Sequence, residues 1–388
     1  MSRPGTLGWI QLVREWPPGY GGVERVAHEL ATSWQRRSSN VVCYSLCPPS
    51  SSVPSEHLPV TYKRRCLPCV AFGRVLIPLP SRSLVGMLVA KSSLMVHLPC
   101  PSLLLLSLVA RLCSADRPIS LFWHAFLEPE AGPRGWLVAI YQWLALRWAA
   151  IGPSCVVTTS PTLVRALMES GVPEQRIRLL PCCLGSEMEL EAAAIWSRRQ
   201  ARLSRTRIDP FRLIYIGRLS SYKCVDRLIL AFPSSGASEL HIVGDGPERL
   251  RLERLASGQS QIGAIVFHGM LSESEKLARL EHSDLLVLPS RSCHEAFGIV
   301  QLEAMACGVP ALGFNNLRSG MAWVAGLEQA LRRTGWRSPQ HPTDLSSAIN
   351  QLAEQPEWLR EASIAARLRY ERVFARCHWE RRLLTSEA

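Results

Sequence analysis

Ser290-Arg291-Ser292-Cys293-His294-Glu295-Ala296-Phe297-Gly298-Ile299-Val300-Gln301-Leu302-Glu303-Ala304-Met305-Ala306-Cys307-Gly308-Val309-Pro310 is the stretch that decides how this chain reads. It follows an apolar, strand-like run, Asp284–Pro289, and its Gly-Val-Pro leads into another at Pro310–Phe314. Between them lie a loop and a helix over Gly298–Ala306, so the stretch is one strand–helix–strand unit of a parallel sheet. The helix start near Phe297–Val300 offers unbonded N–H groups and the positive end of the dipole, which suits a diphosphate. Glu295 precedes the helix and Glu303 sits two turns inside it. Two carboxylates suggest a hydrolase pair, but eight helical residues advance about 12 Å, beyond the roughly 5–9.5 Å that hydrolysis needs. The two glutamates are expected to hold different parts of one long ligand. A second reading stays open, in which one merely favours the dipole and the other lies at the surface.

The same alternation extends outward. Strand-like runs occur at Phe211–Ile216, Leu240–Val243 and Ile265–His268, with helices near Val225–Phe232, Pro247–Ala256 and Glu273–Glu281. Helices at Thr343–Glu354 and Glu357–Cys377 close the chain. The first half repeats the scheme, with strands at Leu7–Val13, Val41–Leu46, Leu94–Leu98, Ile119–Trp123 and Cys155–Thr159. Residues 186–209 lack a strand pattern. Glu187–Ala194 is acidic then Ala-rich, and Arg198–Arg207 is basic. The expected organisation is therefore α/β, with a Rossmann-like domain over 1–190, a linker over 191–209 and a second Rossmann-like domain over 210–360. A helix over 361–388 is expected to pack back toward the first domain. Two such sheets facing across a cleft would collect ligands at the C-terminal ends of their strands.

Composition limits the alternatives. The chain has 388 residues, 47% hydrophobic and 20% charged, which excludes wholesale disorder. The net charge of +12 is uneven: residues 1–205 carry 22 Lys/Arg against 12 Asp/Glu, and residues 206–388 carry 22 against 20. A basic first half points to an anionic partner or to a solvated basic surface. No nucleic-acid motif accompanies it, so nucleic acid is not expected. Thirteen cysteines without a secretory signal point to free thiols and a reducing, cytoplasmic setting. Cys66-Leu67-Pro68-Cys69 is a lone pair without further ligands at zinc spacing. The uncharged run Ser92–Ala110 is 19 residues long, but Pro99 and Pro101 split it into a strand and a Leu-rich helix. Gly135–Ala150 carries Trp136, Tyr141, Trp143 and Trp148 with Arg147. That pattern suits either a core-facing helix or one lying at a membrane interface.

At this point a resemblance emerges. Glu-Ala-Phe-Gly-Ile-Val-x-Leu-Glu-Ala-Met-Ala-x-Gly-x-Pro over 295–310 resembles the Glu-x7-Glu signature of retaining glycosyltransferases of family 4, which have the GT-B fold. Gly217-Arg218-Leu219 with Lys223 is similar to the family's Gly-Arg-Leu…Lys-Gly pattern, and Gly244-Asp245-Gly246-Pro247 to its Gly-x-Gly-Pro turn. Val266–Met270 resembles the strand and loop that meet the nucleobase. Gly19-Tyr20-Gly21-Gly22 resembles the family's Gly-Gly loop, and Phe122-Trp123-His124 ends a strand where the family often has a catalytic histidine. There are departures: Cys224 replaces the glycine after the lysine, and Pro181-Cys182-Cys183 replaces Pro-Asn-Gly.

The resemblance implies a transferase moving a hexose from a nucleotide-sugar donor to a saccharide acceptor with retention. It assigns Glu295 to the donor sugar, Glu303 to the ribose, Arg218 and Lys223 to the diphosphate, and His124 to the reaction centre. Gly21, Gly22, Met270, Phe297, Gly298, Ile299 and Val300 would line the donor site. No metal or other cofactor is expected, since the two cations and the helix end would stabilise the leaving diphosphate. Mannosyl or rhamnosyl transfer from a GDP-sugar to a polyprenyl-diphosphate-linked acceptor, in surface polysaccharide or lipopolysaccharide assembly, is the expectation. Peripheral contact with an anionic membrane at its inner face goes with it. Alternatives are an epimerase of the same fold and a degenerate sugar-nucleotide-binding protein. Arg218 and Lys223 as plain surface cations, Gly21-Gly22 as an ordinary strand-to-helix turn, and His124 as a structural residue also stay open.

Overall fold

The computed structural model describes residues 8–15, 17, 21–37, 40–47, 60–73, 75–203, 210–259, 264–339 and 341–387. The chain separates into two compact units, Met1–Pro181 and Cys182–Glu387.

The first unit holds an eight-stranded sheet. Its strands are β1 (Trp9–Val13), β2 (Val41–Cys47), β3 (Lys63–Phe72), β4 (Val75–Pro78), β5 (Ser93–Leu98), β6 (Ile119–Trp123), β7 (Cys155–Thr158) and β8 (Ile177–Leu179). Five helices connect them: α1 (Gly22–Arg36), α2 (Arg82–Val89), α3 (Pro101–Cys113), α4 (Pro133–Ile151) and α5 (Pro161–Glu169). The strand order is β4-β3-β2-β1-β5-β6-β7-β8, parallel throughout except for β3 with β4. Parallel neighbours need crossover connections, and helices supply them where the connection is described; the one from β2 to β3 runs largely through residues outside the described set. Ser81 and Ser160 start α2 and α5 by accepting from Leu84 N–H and Leu163 N–H at 3.2 Å each. Arg117, almost wholly buried, collects the carbonyls of Ser92 and Met87 at 2.8 Å each and so ties the end of α2 to the sheet.

The second unit begins with α6 (Ser186–Leu203). Its sheet comprises β9 (Arg212–Ile216), β10 (Glu239–Val243), β11 (Ala264–Gly269), β12 (Leu285–Leu288) and β13 (Ala311–Gly313). Helices α7 (Val225–Ala231), α8 (Arg249–Ser257), α9 (Glu273–His282) and α10 (Val300–Ala306) alternate with the strands. Then come α11 (Met321–Ala325), α12 (Leu327–Ala330), α13 (Leu345–Glu354), α14 (Pro356–Arg369) and α15 (Arg376–Glu387). The order is β11-β10-β9-β12-β13, all parallel. Every residue of β12 is buried, as expected of a parallel central strand covered on both faces.

Four sequence expectations change. Much of the expected linker 191–209 is α6. Its buried Arg199 donates to the carbonyls of Glu281 and Ser283 at 2.6 Å each, at the end of α9. That helix is part of the second unit, so the division falls at Pro181; residues 204–209 lie outside the described residues. The closing helix Glu357–Cys377 is interrupted, because a π-turn at Tyr370–Phe374 leads to extended backbone at Ala375. β3 and β4 went unread because Lys63-Arg64-Arg65 and Pro68 look unlike a strand, yet Pro68 sits beside Cys47 where the ladder tolerates it. Cys47 and Cys66 are joined as a disulfide rather than free, while Cys69 of the C-x-x-C is buried and unjoined. Ser92–Ala110 forms β5, a turn and most of α3, and no helix among the described residues is long and apolar enough to cross a membrane.

Candidate active site

In each sheet the strand order reverses once, between β1 and β5 and between β9 and β12. Open α/β sheets bind ligands just beyond the carboxyl ends of the strands at such a reversal. In the second unit the loop after β9 carries Arg218 and Lys223, and the loop after β12 carries Glu295. Lys223 Nζ lies against Glu295 Oε2, with both side chains about 85% removed from solvent. Burial pulls the Lys223 ammonium down to about 8. The two loops are fastened to each other, since Ser290 Oγ donates to Tyr222 O at 2.7 Å. The Tyr222 ring sits 5.4 Å from the Lys223 ammonium. Behind Glu295, Ser319 Oγ donates to its carbonyl at 2.5 Å, and Gly320 N–H donates to Ala296 O at 2.7 Å.

Cys224 takes the left-handed conformation, φ 54°, ψ 36°, and is the one non-glycine with positive φ among the described residues. The turn after Lys223 is thus kept despite the lost glycine, at a cost of about 1–2 kcal/mol. Gly246 is needed for close approach, because a Cβ there would meet Leu219 O at 2.3 Å. Pro247 lies in the turn before α8, two residues short of its first helical residue.

Glu303 is fully buried in α10, and Lys276 Nζ of α9 reaches its Oε2 at 2.8 Å while also holding Glu273 at 2.7 Å. The helix over Gly298–Ala306 begins only at Val300, so Glu295 belongs to the loop and the two glutamates do not share a helix. They stay distinct because each has its own lysine.

The first unit gathers a line of polar side chains inside its sheet. His97 Nδ1 and His124 Nε2 are 2.8 Å apart, and His97 Nε2 lies 2.8 Å from Gln11 Oε1. Gln11 Nε2 donates to Ala27 O at 3.0 Å. Ala27 O can only accept, which fixes the amide and leaves Oε1 facing His97. His97 therefore carries its proton on Nε2, its Nδ1 accepts, and His124 donates from Nε2. The Nδ1 of His124 is left as an acceptor. Burial pushes His97 down to about 3, and burial together with His97 holds His124 well below its usual value. Gly21 caps α1 and Gly22 is its first residue. Both glycines are exposed, and a Cβ on Gly21 would lie 2.0 Å from Oε2 of Glu24, whose carboxyl burial pushes up. Gly19 and Tyr20 lie outside the described residues.

With this geometry in hand, comparison with known proteins is decisive for the domains. Residues 20–185 match the model of Glycosyltransferase Family 4, and residues 199–369 that of Glycosyl transferases group 1. Each match covers under half of the chain and falls largely on one of the two units, and the two-domain α/β fold is that of GT-B structures. The chain is 33% identical over 170 residues to glycogen synthase of Mycobacterium tuberculosis, covering 42% of this chain and 39% of that one. It is 32% identical over 192 residues to the GDP-mannose-dependent alpha-(1-6)-phosphatidylinositol dimannoside mannosyltransferase of the same species, covering 47% and 45%. The chain thus spans less than half the length of these curated relatives. Among solved structures, Anabaena HepE in complex with UDP superposes with a TM-score of 0.72 at 17% identity, covering 98% and 99% of the two chains. Sucrose-phosphate synthase from Thermosynechococcus elongatus does so with 0.70 at 18%, covering 98% of both.

In the group 1 glycosyltransferase domain, the structure brings Lys223 and Glu295 into contact from two separate motifs. Arg218 is exposed in the same loop and has no carboxylate partner among the described residues. Phe297 turns into the core, edge-to-face with Phe374 at 6.0 Å, so only its backbone is left for a ligand. Gly298 has φ 67°, and Ile299 and Val300 are half-buried at the start of α10. Met270 is exposed just after β11. Sequence reasoning missed Lys276, Ser290 and Ser319 here, and Gln11 in the family 4 domain. Two of these carried a signal. Gln11 interrupts the apolar strand Trp9–Val13, and Lys276 falls on the same helical face as Leu277 and Leu280.

Proposed function

We propose that this chain is a retaining, metal-independent hexosyltransferase. It would move a hexose from a nucleotide-sugar of the GDP-mannose type to a saccharide acceptor carried on a polyprenyl diphosphate, at the cytoplasmic face of a membrane, in surface polysaccharide or lipopolysaccharide assembly. The observation that carries the reading is the Lys223–Glu295 contact at the strand-order reversal of the group 1 domain. A binding protein that had lost its chemistry would have no need to keep a half-buried lysine against a half-buried glutamate there. The mannosyltransferase relative is named as GDP-mannose-dependent, and HepE is known with UDP and glucose, which supports a nucleotide-sugar in this fold. None of the relatives named favours an epimerase.

The steps follow from the residues. The bond between the anomeric carbon and the diphosphate oxygen breaks, and the acceptor oxygen bonds to the same face. Its proton passes to the departing phosphate oxygen. Lys223 and Arg218 would meet the charge that grows on that oxygen, with Lys223 turning from Glu295 to the diphosphate as donor arrives. Glu295 is then free to accept from sugar hydroxyls. Glu303 would reach the ribose only once Lys276 yields its place. His124 would accept a hydrogen bond from a substrate hydroxyl at Nδ1, the nitrogen its tautomer leaves bare, while staying neutral.

Thermal unfolding with GDP-, UDP-, dTDP- and ADP-sugars, with and without EDTA, tests the reading. A donor at 100 times its Kd stabilises by about 2.7 kcal/mol. One EDTA-insensitive shift supports it, and a folded protein that responds to none refutes it. The pH profile gives a second check. Lys223 must be protonated to stabilise the leaving group, so kcat/KM should fall as pH rises through about 8. Lys223→Arg, which keeps its charge, should remove that alkaline limb even where it lowers the plateau.

A further inference from the structure

The exposed face of α4 carries a stripe that the domain leaves uncovered. Trp136, Leu137, Ile140, Trp143, Leu144 and Ile151 recur at helical spacing and are all exposed, with Arg147 the single charge among them. Against α3 this face forms a groove of about 480 Å³ with almost wholly apolar walls. Trp148 and Ile151 at its end also line a second hollow of about 430 Å³, which adds Arg111, Arg176 and Ser154. Arg111 Nη2 donates to Gly152 O and Arg176 Nη1 to Pro153 O, each at 2.9 Å. Those bonds fix both guanidinium groups, and neither has a carboxylate partner among the described residues. Trp148 Nε1 is buried with no hydrogen-bond partner among the described residues.

We propose that this face is a binding site for one anionic phospholipid at a membrane surface. Its phosphate sits between Arg111 and Arg176, and an acyl chain lies in the α3–α4 groove. An apolar channel that ends at two fixed cations matches the polarity of such a lipid along its length. The site is not the donor or acceptor site. Ser154 immediately precedes β7 and Arg176 immediately precedes β8, so the cationic end lies at the amino edge of the sheet, opposite the edge that carries His124. Charge favours a lipid surface over a second copy of this chain, because the unit over 1–181 carries 18 Lys/Arg against 9 Asp/Glu and would repel its like. Tryptophan beside arginine on an apolar helix face is the composition of an interfacial helix. The proposal does not depend on transfer activity.

Flotation of the full chain with vesicles tests it. Vesicles containing about a third phosphatidylglycerol should bind the protein at least tenfold more tightly than pure phosphatidylcholine, each basic residue at the surface adding severalfold. Arg111→Gln with Arg176→Gln should erase most of that preference, and Ile140→Asp should release the protein tenfold or more from either vesicle. Both changes are at exposed or half-exposed positions, and unchanged melting of each variant serves as the folding control. Inorganic phosphate at millimolar concentration should neither raise the melting temperature nor compete, because the chain is half of the ligand. Equal binding to both vesicle types, or arginine variants that bind like the parent, would overturn the proposal. So would a dimer in sedimentation that Ile140→Asp dissociates without any vesicle binding, or competition by phosphate alone.

Discussion

Glu295→Gln should lower kcat for sugar transfer by about 10²–10³-fold while the protein stays folded, the scale expected when one preorganised polar contact at a reacting centre is lost. The side chain has two tasks in the proposed reaction. It holds Lys223 in place before donor arrives, and it accepts from the sugar hydroxyls afterwards. Glutamine preserves the length and one acceptor oxygen, so the lysine retains a partner. The charge that orders both contacts is gone. Stability should suffer little, because burial has already brought Lys223 down to about 8. An ammonium so poised sheds its proton at small cost when the carboxylate is removed. A change of about 1 kcal/mol corresponds to about 2–4 °C in a domain of this size, and the melting temperature should move no further than that. Steady-state rates and a melt on the same sample decide the matter: parent-like transfer by Glu295→Gln would end the assignment, and a collapsed melt would shift the inquiry to Glu295→Asp.

How far such residues were visible in the sequence depended on what kind of constraint held them. β12 was legible because a strand buried on both faces must be apolar along its whole length, and Leu285-Leu286-Val287-Leu288 is. β3 was not, because it lies near the sheet edge, where most of its residues face solvent and a proline breaks no essential bond. The interruption at Tyr370–Phe374 left no glycine or proline in the chain to announce it. Arg369 instead turns its guanidinium to the carbonyls of Trp323 and Val324, a contact 45 residues away in sequence that no local pattern encodes.

The site divides in the same way. Glu295, Lys223 and Arg218 are singled out by motif as candidates, yet nothing in the motifs says that the first two touch. Their contact arises from the sheet, which sets the ends of β9 and β12 side by side. Glu303 was found as a residue but not as a buried one, because its burial comes from α9 and its lysine. Cys224 was flagged as a departure, and only the backbone reveals that the left-handed turn survives it.

The line from Gln11 through His97 to His124 leads to the other large effect, the acid lability of the first domain. Each histidine is neutral in the folded chain, with His97 pushed down to about 3 and His124 also well below its usual value. A proton added to His97 at Nδ1 would point at the one His124 already donates, and burial opposes charge on either ring. The unfolded chain binds those protons near pH 6.5. The sign follows: between about pH 6.5 and 3 the unfolded state holds more protons, so stability is full above 6.5 and falls as pH drops. His97 should contribute about 1.4 kcal/mol per pH unit in that window, so it removes about 2 kcal/mol by pH 5, and His124 acts in the same direction. At about 2–4 °C per kcal/mol, the loss at His97 alone should lower the melting of the first domain by roughly 4–8 °C at pH 5 relative to pH 7.5, and His124 should deepen it. Carboxylates add their own acid dependence, so the diagnostic quantity is a difference. His97→Leu should be less stable than the parent at pH 7.5, because Gln11 and His124 lose a partner, yet its stability should fall with pH more gently by about one proton. A slope equal to the parent's would mean that His97 is not held neutral. An imidazole resonance of His97 or His124 titrating above pH 5 would say the same without any substitution.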